Sequence, residues 1–532
     1  MNTFWRKKLS MKYNQSELKP QVQTPALNDP LTGILEQDLL KIKETFKKSN
    51  DVLFSEFNLG INEAVRAAII YTDGLADTTI IQNSILDSLM HETSQMEGGL
   101  EGLPTEFLYR WIKKRSLTVG AMTELTDFDS LYTSVLSGNT VILFDRFVHA
   151  ISVNTPGWDE RGVSEPESQT VVRGPRDGFC ETLRTNTALV RRRIKNAKLF
   201  CEPKQIGRLT KTDLAVMYIQ GVANDKVIQE VHERLDRIDI DGILESGNIE
   251  ELIQDETYTP FPTVYNTERP DVVAAALLEG RVAIMIDGTP FVLLVPALFI
   301  QSLQSAEDYY QRSDVSSLIR ILRYLCFLIA LLGPSIYIAL TTFHQEMLPT
   351  PLLISLAAQR EGVPFPAFVE ALVMEVTFEI LREAGIRMPR AVGQAVSIVG
   401  ALVIGQASVE AGIVSAAMVI VVSITAIASF VIPAFNMAIS VRMLRFVMMA
   451  LAATFGLYGI TLGLLALLLH LNSLRSFGIP YMAPLSPYIA DDQKDAILRF
   501  PLKKLLTRPR LISPKNRTRE ETSSTSKPKS NQ

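Results

Sequence analysis

Cysteine is scarce in this 532-residue chain: Cys180, Cys201 and Cys326 are the only three, and they show no metal-binding spacing. That argues against a disulfide framework or a zinc ribbon and fits a reducing compartment. Histidine is also sparse, with five residues scattered at 91, 149, 232, 344 and 470. The sequence has no His-Glu-x-x-His pair, no Walker A loop and no Gly-x-Gly-x-x-Gly following a strand, so common enzyme signatures are missing. We assign no catalytic residue, no metal ligand and no cofactor. Net charge is only −4, which gives no reason to expect a nucleic-acid partner. The first thirty residues carry Lys and Arg but no apolar signal-peptide core, so export of the N-terminal part is not expected.

What is present is apolar length, concentrated late in the chain. Four runs occur at residues 321–340, 391–408, 413–433 and 446–471. A helix crosses the hydrocarbon core of a bilayer with about 20 apolar residues. The first and last runs reach that length, and the middle two do so with short flanks. The expected fold is therefore an α/β soluble N-terminal region followed by an all-α polytopic membrane domain.

The soluble region carries an internal echo. A strand pattern at 67–72 ends at Asp73-Gly74, and helical patterns follow at 78–89 and 127–136. A strand at 138–145 then closes at Asp145 and returns at 147–153. The same order recurs as a strand at 213–219, helices at 225–237 and 270–278, a strand at 280–287 closing at Asp287, and a return at 291–295. Tyr71 and Gly74 match Tyr218 and Gly221, 147 positions on; Gly138 and Asp145 match Gly280 and Asp287, 142 positions on. Two related subdomains in tandem are expected. Asp145 and Asp287 are explained by turn chemistry.

The expected division is a disordered segment 1–30, subdomains 31–160 and 198–315, and a basic linker helix 161–197 between them. A membrane domain 316–475, with about four spans plus an embedded acidic helix, precedes a basic tail 476–532. In the linker, Arg173, Arg176, Arg191, Arg192 and Arg193 are either a solvated face or a contact surface for an anion, lipid headgroups or an acidic partner.

The linker motif Arg173-Gly-Pro-Arg-Asp-Gly-Phe179, with Leu183-Arg-Thr-Asn186 and Arg191-Arg-Arg-Ile-Lys195, resembles the A-subunit family of spore-germination nutrient receptors, the GerA type. Segments 334–350, 359–366 and 379–389 are similar to the family as well, and the likeness runs from about residue 50 to 510. The resemblance implies a non-enzymatic subunit in the spore inner membrane. It implies a transporter-like B-subunit, which is the nutrient binder, and a lipoprotein C-subunit as partners. It also implies assembly of A-subunits into a ligand-gated channel for monovalent cations.

Two segments carry candidate chemistry. Glu375, Glu379 and Glu383 recur every four residues and share one helical face, with Glu370 apart. This is either an interfacial amphipathic helix or a pore-mouth helix whose carboxylates, with Glu410, attract cations. In the run 391–408, Gln394, Ser397, Ala401, Gly405 and Ser408 form one small, polar stripe. Close helix packing explains such a stripe, and so does a pore lining. The segment from Leu498 holds ten Lys or Arg against two Glu, so positive-inside bias places the tail, and with four spans the N-terminal domain, in the cytoplasm, here the spore core. A fifth span through 369–382 is the alternative. It brings Arg442 and Arg445 inside, buries glutamates and moves the tail outside. A non-conducting scaffold for a nutrient-binding partner remains the competing function.

Overall fold

The computed structural model describes residues 29–59, 65–94, 122–157, 165–166, 169–388 and 405–519. The first α/β unit contains α1 (Leu35–Thr45), β1 (Val52–Leu59), β2 (Val65–Thr72), α2 (residues 78–94, with a π-helical middle), β3 (Met122–Leu125), α3 (Phe128–Val135), β4 (Thr140–Phe144) and β5 (Ala150–Val153). Its sheet runs β1-β2-β4-β5-β3, with every pairing antiparallel. The second unit contains α4 (Leu183–Arg193), β6 (Leu199–Ile206), β7 (Thr212–Ile219), α5 (Asp225–Asp236), α6 (Ser246–Ile253), β8 (Tyr265–Thr267), α7 (Pro270–Glu279), β9 (Val282–Ile286) and β10 (Val292–Val295). Its order is β6-β7-β9-β10-β8, again antiparallel throughout.

The two sheets agree residue by residue. Ala67 lies opposite Phe144 in the first, and Leu214 opposite Ile286 in the second. Thr140 pairs with Val153, and Val282 with Val295. Thus the first hairpin recurs 147 positions later and the rest of the sheet 142 positions later, as the sequence echo predicts. Both inner strands are apolar at nearly every position because both sheet faces are covered. Ile142 and Phe144 face one cluster, while Val141 and Leu143 face another under α1 and α3.

The echo also reassigns the basic segment. Leu189 and Val190 of α4 pack beside α7 on the second sheet, as α1 packs beside α3 on the first. Asp145 Oδ1 accepts from the Leu35 N–H at 3.2 Å, and Asp287 Oδ1 from the Leu183 N–H at 2.9 Å. Each hairpin aspartate therefore holds the start of its unit's first helix. We place α4 with the second unit rather than in a linker.

The helical part contains α8 (Ser313–Thr342), α9 (Thr350–Arg360), α10 (Ala367–Arg387), α11 (Gly405–Glu410), α12 (Ala416–Phe430) and α13 (Phe435–Ser473). Among the described residues, α8 and α13 are the two helices long and apolar enough to cross a membrane. At 15 residues, α12 is apolar but short. Most of the run 391–408 lies outside the described residues.

The last apolar run, expected as one span, is not straight. At Gly456 the backbone turns to φ 59°, ψ −139°. A Cβ on Gly463 would lie 2.7 Å from Met448 Sδ, whereas a straight helix separates these residues by about 22 Å. α13 is therefore a helical hairpin with its tip at Gly456. The buried glycines 456, 459 and 463 permit the close approach. Phe343 and His344, just past α8, pack against the tip. Both ends of α13 return to the soluble units. Asn436 Nδ2 donates to Glu250 Oε1 at 3.4 Å, and His470 Nε2 lies 2.8 Å from Thr259 Oγ1.

Residues 474–519 are not a loose tail. Tyr481 is fully buried, and Ala496 and Ile512 join the core of the second unit. Ser513 Oγ donates to the Val222 carbonyl at 2.7 Å. This segment and the soluble units therefore share one side of the bundle.

Candidate functional site

The site begins with the acidic helix α10. Pro364 and Pro366 stop the preceding chain from continuing as helix, and Pro366 occupies the N-cap position. Helical spacing puts Glu375 and Glu379 on one side, with Glu370 on a different side of the helix near its start. Glu370 and Glu375 both point into the bundle, against different neighbours. Glu370 and Glu375 have no exposed surface, whereas Glu379 is partly exposed and Glu383 is exposed beside Arg387; of the two readings, carboxylates turned to water fit Glu383 and not Glu370 or Glu375.

Each carboxylate has a partner on another element. Glu370 Oε1, near the end of the bundle remote from the soluble units, accepts from the Ser415 N–H at 2.6 Å and from the Ser415 hydroxyl. Ser415 in turn caps α12 by accepting from the Met418 N–H at 3.3 Å. Arg360 Nε stands 3.8 Å from Glu370 Oε2. In the middle, Arg445 Nη1 donates to Glu375 Oε2 at 2.6 Å, and Arg445 Nε donates to the Ala330 carbonyl of α8 at 2.6 Å. One turn nearer the soluble units, Arg442 Nη1 donates to Glu379 Oε2 at 3.2 Å, and Arg382 Nη2 lies 3.0 Å from the same oxygen. Three helices, α8, α10 and α13, are thus tied through charges at bundle depth.

A buried pair of this kind is weak evidence for stability, because desolvation offsets the attraction. It is good evidence for register: removing either partner leaves an uncompensated charge, at a cost of about 3–5 kcal/mol. Arg445 Nη2, Glu375 Oε1 and Glu379 Oε1 are buried without a hydrogen-bond partner among the described residues. The ladder therefore retains unused polar capacity.

A second charged knot joins the bundle to the soluble units. Arg323 Nη1 donates to both carboxylate oxygens of Asp308, at 2.9 and 2.8 Å, and Arg320 Nη1 donates to Asp495 Oδ1 at 2.9 Å. Asp308 and Arg320 are almost wholly buried. Burial pushes the Asp495 carboxyl above its ordinary range, against the pull of Arg320. At the α13 contact, burial pushes Glu250 up to about 7, with Asn266 and Asn436 as its amide donors and Glu245 adding repulsion.

The remaining sequence candidates are distributed elsewhere. Gln394, Ser397 and Ala401 lie outside the described residues; Gly405 and Ser408 sit in the short α11. Glu410 accepts from Gln406 Nε2 at 2.8 Å. Arg191 is corrected as a surface contact: its guanidinium is fully buried and donates to Asp51 at 2.6 and 2.8 Å, joining the two α/β units. Arg193 pairs with Asp177 at 2.5 Å, and exposed Arg176 lies 3.3 Å from Glu165. Arg173 and Arg192 are exposed. Among the described residues, no group of three or more His, Cys, Asp or Glu could hold a metal ion.

Sequence reasoning missed the Arg320–Arg323–Asp308–Asp495 knot and the pairing of Arg442 and Arg445 with the acidic helix. Arginines set inside or beside apolar runs were the available signal.

The family described as "Bacillus/Clostridium GerA spore germination protein" matches residues 40–511. Spore germination protein KA of Bacillus subtilis (strain 168) is 51% identical over 486 residues, covering 91% of this chain and 88% of that protein. Spore germination protein B1 of the same organism is 40% identical over 487 residues, covering 91% and 99%. The crystal structure of the N-terminal domain of the A subunit of the Bacillus megaterium spore germinant receptor GerK3 is 40% identical, covers 51% of this chain and 98% of its own, and aligns with a TM-score of 0.40. The chain belongs to the GerA family of spore germination proteins, the A-subunit family of germinant receptors.

Proposed function

We propose that the chain is the A-subunit of a nutrient receptor in the spore inner membrane. It assembles there as a homo-oligomeric, multi-pass, nutrient-gated channel that releases monovalent cations to start germination. Family membership supports the receptor role, along with a transporter-like B-subunit and a lipoprotein C-subunit as partners. The observation that carries the membrane reading is the inward turn of charge. Glu370, Glu375 and Arg445 are buried inside the bundle, while Leu325, Ile424, Phe455 and Leu469 are exposed on its outside. That inversion suits lipid contact. The soluble units and residues 474–519 share a side, which we assign to the spore core from the basic charge of the C-terminal segment.

The conducting path is assigned to the face of Gln394, Ser397, Ala401, Gly405 and Ser408. In a closed ring, small polar residues on that face leave a narrow, wettable path, and larger apolar ones dewet it. Ala401→Leu should block nutrient-triggered ion release at normal subunit abundance, whereas Leu402→Phe, about 100° round the helix, should be tolerated. Efflux indifferent to Ala401→Leu moves the path to another helix. Loss of the protein itself favours packing.

The second reading is a non-conducting scaffold for a nutrient-binding partner. It draws on the pairing of Glu375 and Glu379 with arginines of the same chain, which leaves less charge to attract cations. Single-channel recording of the purified protein separates the two: conductance that depends on Ala401 supports the channel, and none supports the scaffold.

A further inference from the structure

A cavity of about 470 Å³ lies where three segments meet: α7, residues 301–310 leading into α8, and the returning C-terminal segment. Its size falls within the range of small-molecule sites. One wall is apolar, formed by Tyr265, Val272, Ala275, Ala276 and Ala306. The hydroxyls of Tyr309 and Tyr310 are already committed, donating to Asp495 at 2.8 Å and to Asp271 at 2.6 Å. These two tyrosines therefore offer the cavity their rings.

Charge at the other wall does not balance. The lining includes Arg281, Arg508 and Arg519 against Asp271 and Glu279. Asp271 is matched by Arg269, from outside the lining, at 2.7 Å. Glu279 is shared, at 2.8 Å by Arg519 and at 3.7 Å by Arg281. Arg508 meets no carboxylate within ion-pair distance among the described residues. It donates to the Leu278 and Thr518 carbonyls, at 2.8 and 2.7 Å, and to Asn516. Burial, and then Arg519 beside it, hold the Arg508 guanidinium below its ordinary range. Arg281 is almost fully buried, and its Nε lacks a hydrogen-bond partner among the described residues. A partly buried surplus of positive charge beside an apolar wall is complementary to an anionic group on an apolar body.

We propose that this cavity binds a small amphiphilic anion, one carboxylate or phosphate group on an apolar body, with Arg508 at the charged end and Tyr265 and Val272 against the body. The occupant fastens the C-terminal segment to the connector that enters α8. A free metabolite or a lipid headgroup could supply this chemistry. The lipid source is open because a second space of about 230 Å³, sharing Tyr265, Val272 and Ser305, reaches Phe430, Ile432 and Pro433 at the turn between α12 and α13.

The test uses the full chain in phosphatidylcholine nanodiscs, with phenyl phosphate as the probe and thermal unfolding as the readout. Wild type should be stabilised in a saturable way. Arg508→Gln, which keeps donors for the carbonyls, should raise the half-saturating concentration about tenfold, the scale of one lost charge-assisted bond. Ala275→Phe, which fills the space, should abolish the shift, and Arg510→Gln, exposed and outside the lining, should leave it unchanged. If nanodiscs containing phosphatidylglycerol give the same Arg508-dependent stabilisation and leave phenyl phosphate without further effect, the occupant is a headgroup. No stabilisation by either, or stabilisation indifferent to both Arg508→Gln and Ala275→Phe, overturns the proposal.

Discussion

Arg445 on α13 donates to Glu375 on α10 at 2.6 Å, with side-chain exposures of 1% and 0%. Its Nε holds the Ala330 carbonyl of α8, so one guanidinium sets the depth of two other helices. Glu375→Ala or Arg445→Ala should each cost about 3–5 kcal/mol through the charge left behind. The double change Glu375→Leu with Arg445→Leu should recover most of that loss. Subunit abundance in membranes and thermal unfolding in nanodiscs check both. A double change as damaging as either single one would show that the pair does more than fix register.

Gly456 forms the tip of the α13 hairpin in a backbone region that side chains avoid, and an added Cβ would meet His344 Cε1 at 2.8 Å. Gly456→Ala should cost about 1–3 kcal/mol from backbone strain, with the contact adding to it. Gly221 also has positive φ, at 79°, but open space around it. Gly221→Ala should cost about 1 kcal/mol. Equal unfolding temperatures for the two variants would contradict the tight tip.

Arg191 and Asp51 join the two α/β units through a buried two-pronged contact. Arg191→Lys keeps the charge but loses the fork. It should destabilise the soluble units by about 1–3 kcal/mol, and Arg191→Ala by about 3–5 kcal/mol. Proteolysis between the units, followed in the full chain, should quicken in the same order.

Glu250 connects α6 to the start of α13, and its carboxyl is raised from 4.5 to about 7. The folded chain therefore holds this proton more tightly than the unfolded chain. The stabilisation is complete below about pH 4.5, declines as pH rises and is gone above about pH 7. The partly exposed position reduces it to about 1–3 kcal/mol. The fall in unfolding temperature between pH 5 and 8 should be shallower in Glu250→Gln than in wild type. Parallel profiles would remove Glu250 from the pH response.

The sequence by itself determined the two-part plan, the late apolar runs and the tandem echo. The central strands show as short apolar runs bounded by turns, with hairpins closing at Asp145 and Asp287, and these signals are written at short range. The family was legible in the motif around Arg173 for the same reason. The short partner strands β3 and β8 and the roles of α4 and α6 were not, because short segments carry little periodicity and take their place from the sheet they cover. Only the tertiary structure decided which way the glutamates of α10 face. Their four-residue spacing defines one side of a helix, but Arg442 and Arg445 lie more than sixty positions away, and the fold alone brings them together. The turn at Gly456 was hidden likewise, since an apolar run reads the same straight or doubled back. What separates the two is the contact of buried glycines with Met448 and His344, a long-range packing term that composition and local spacing do not contain.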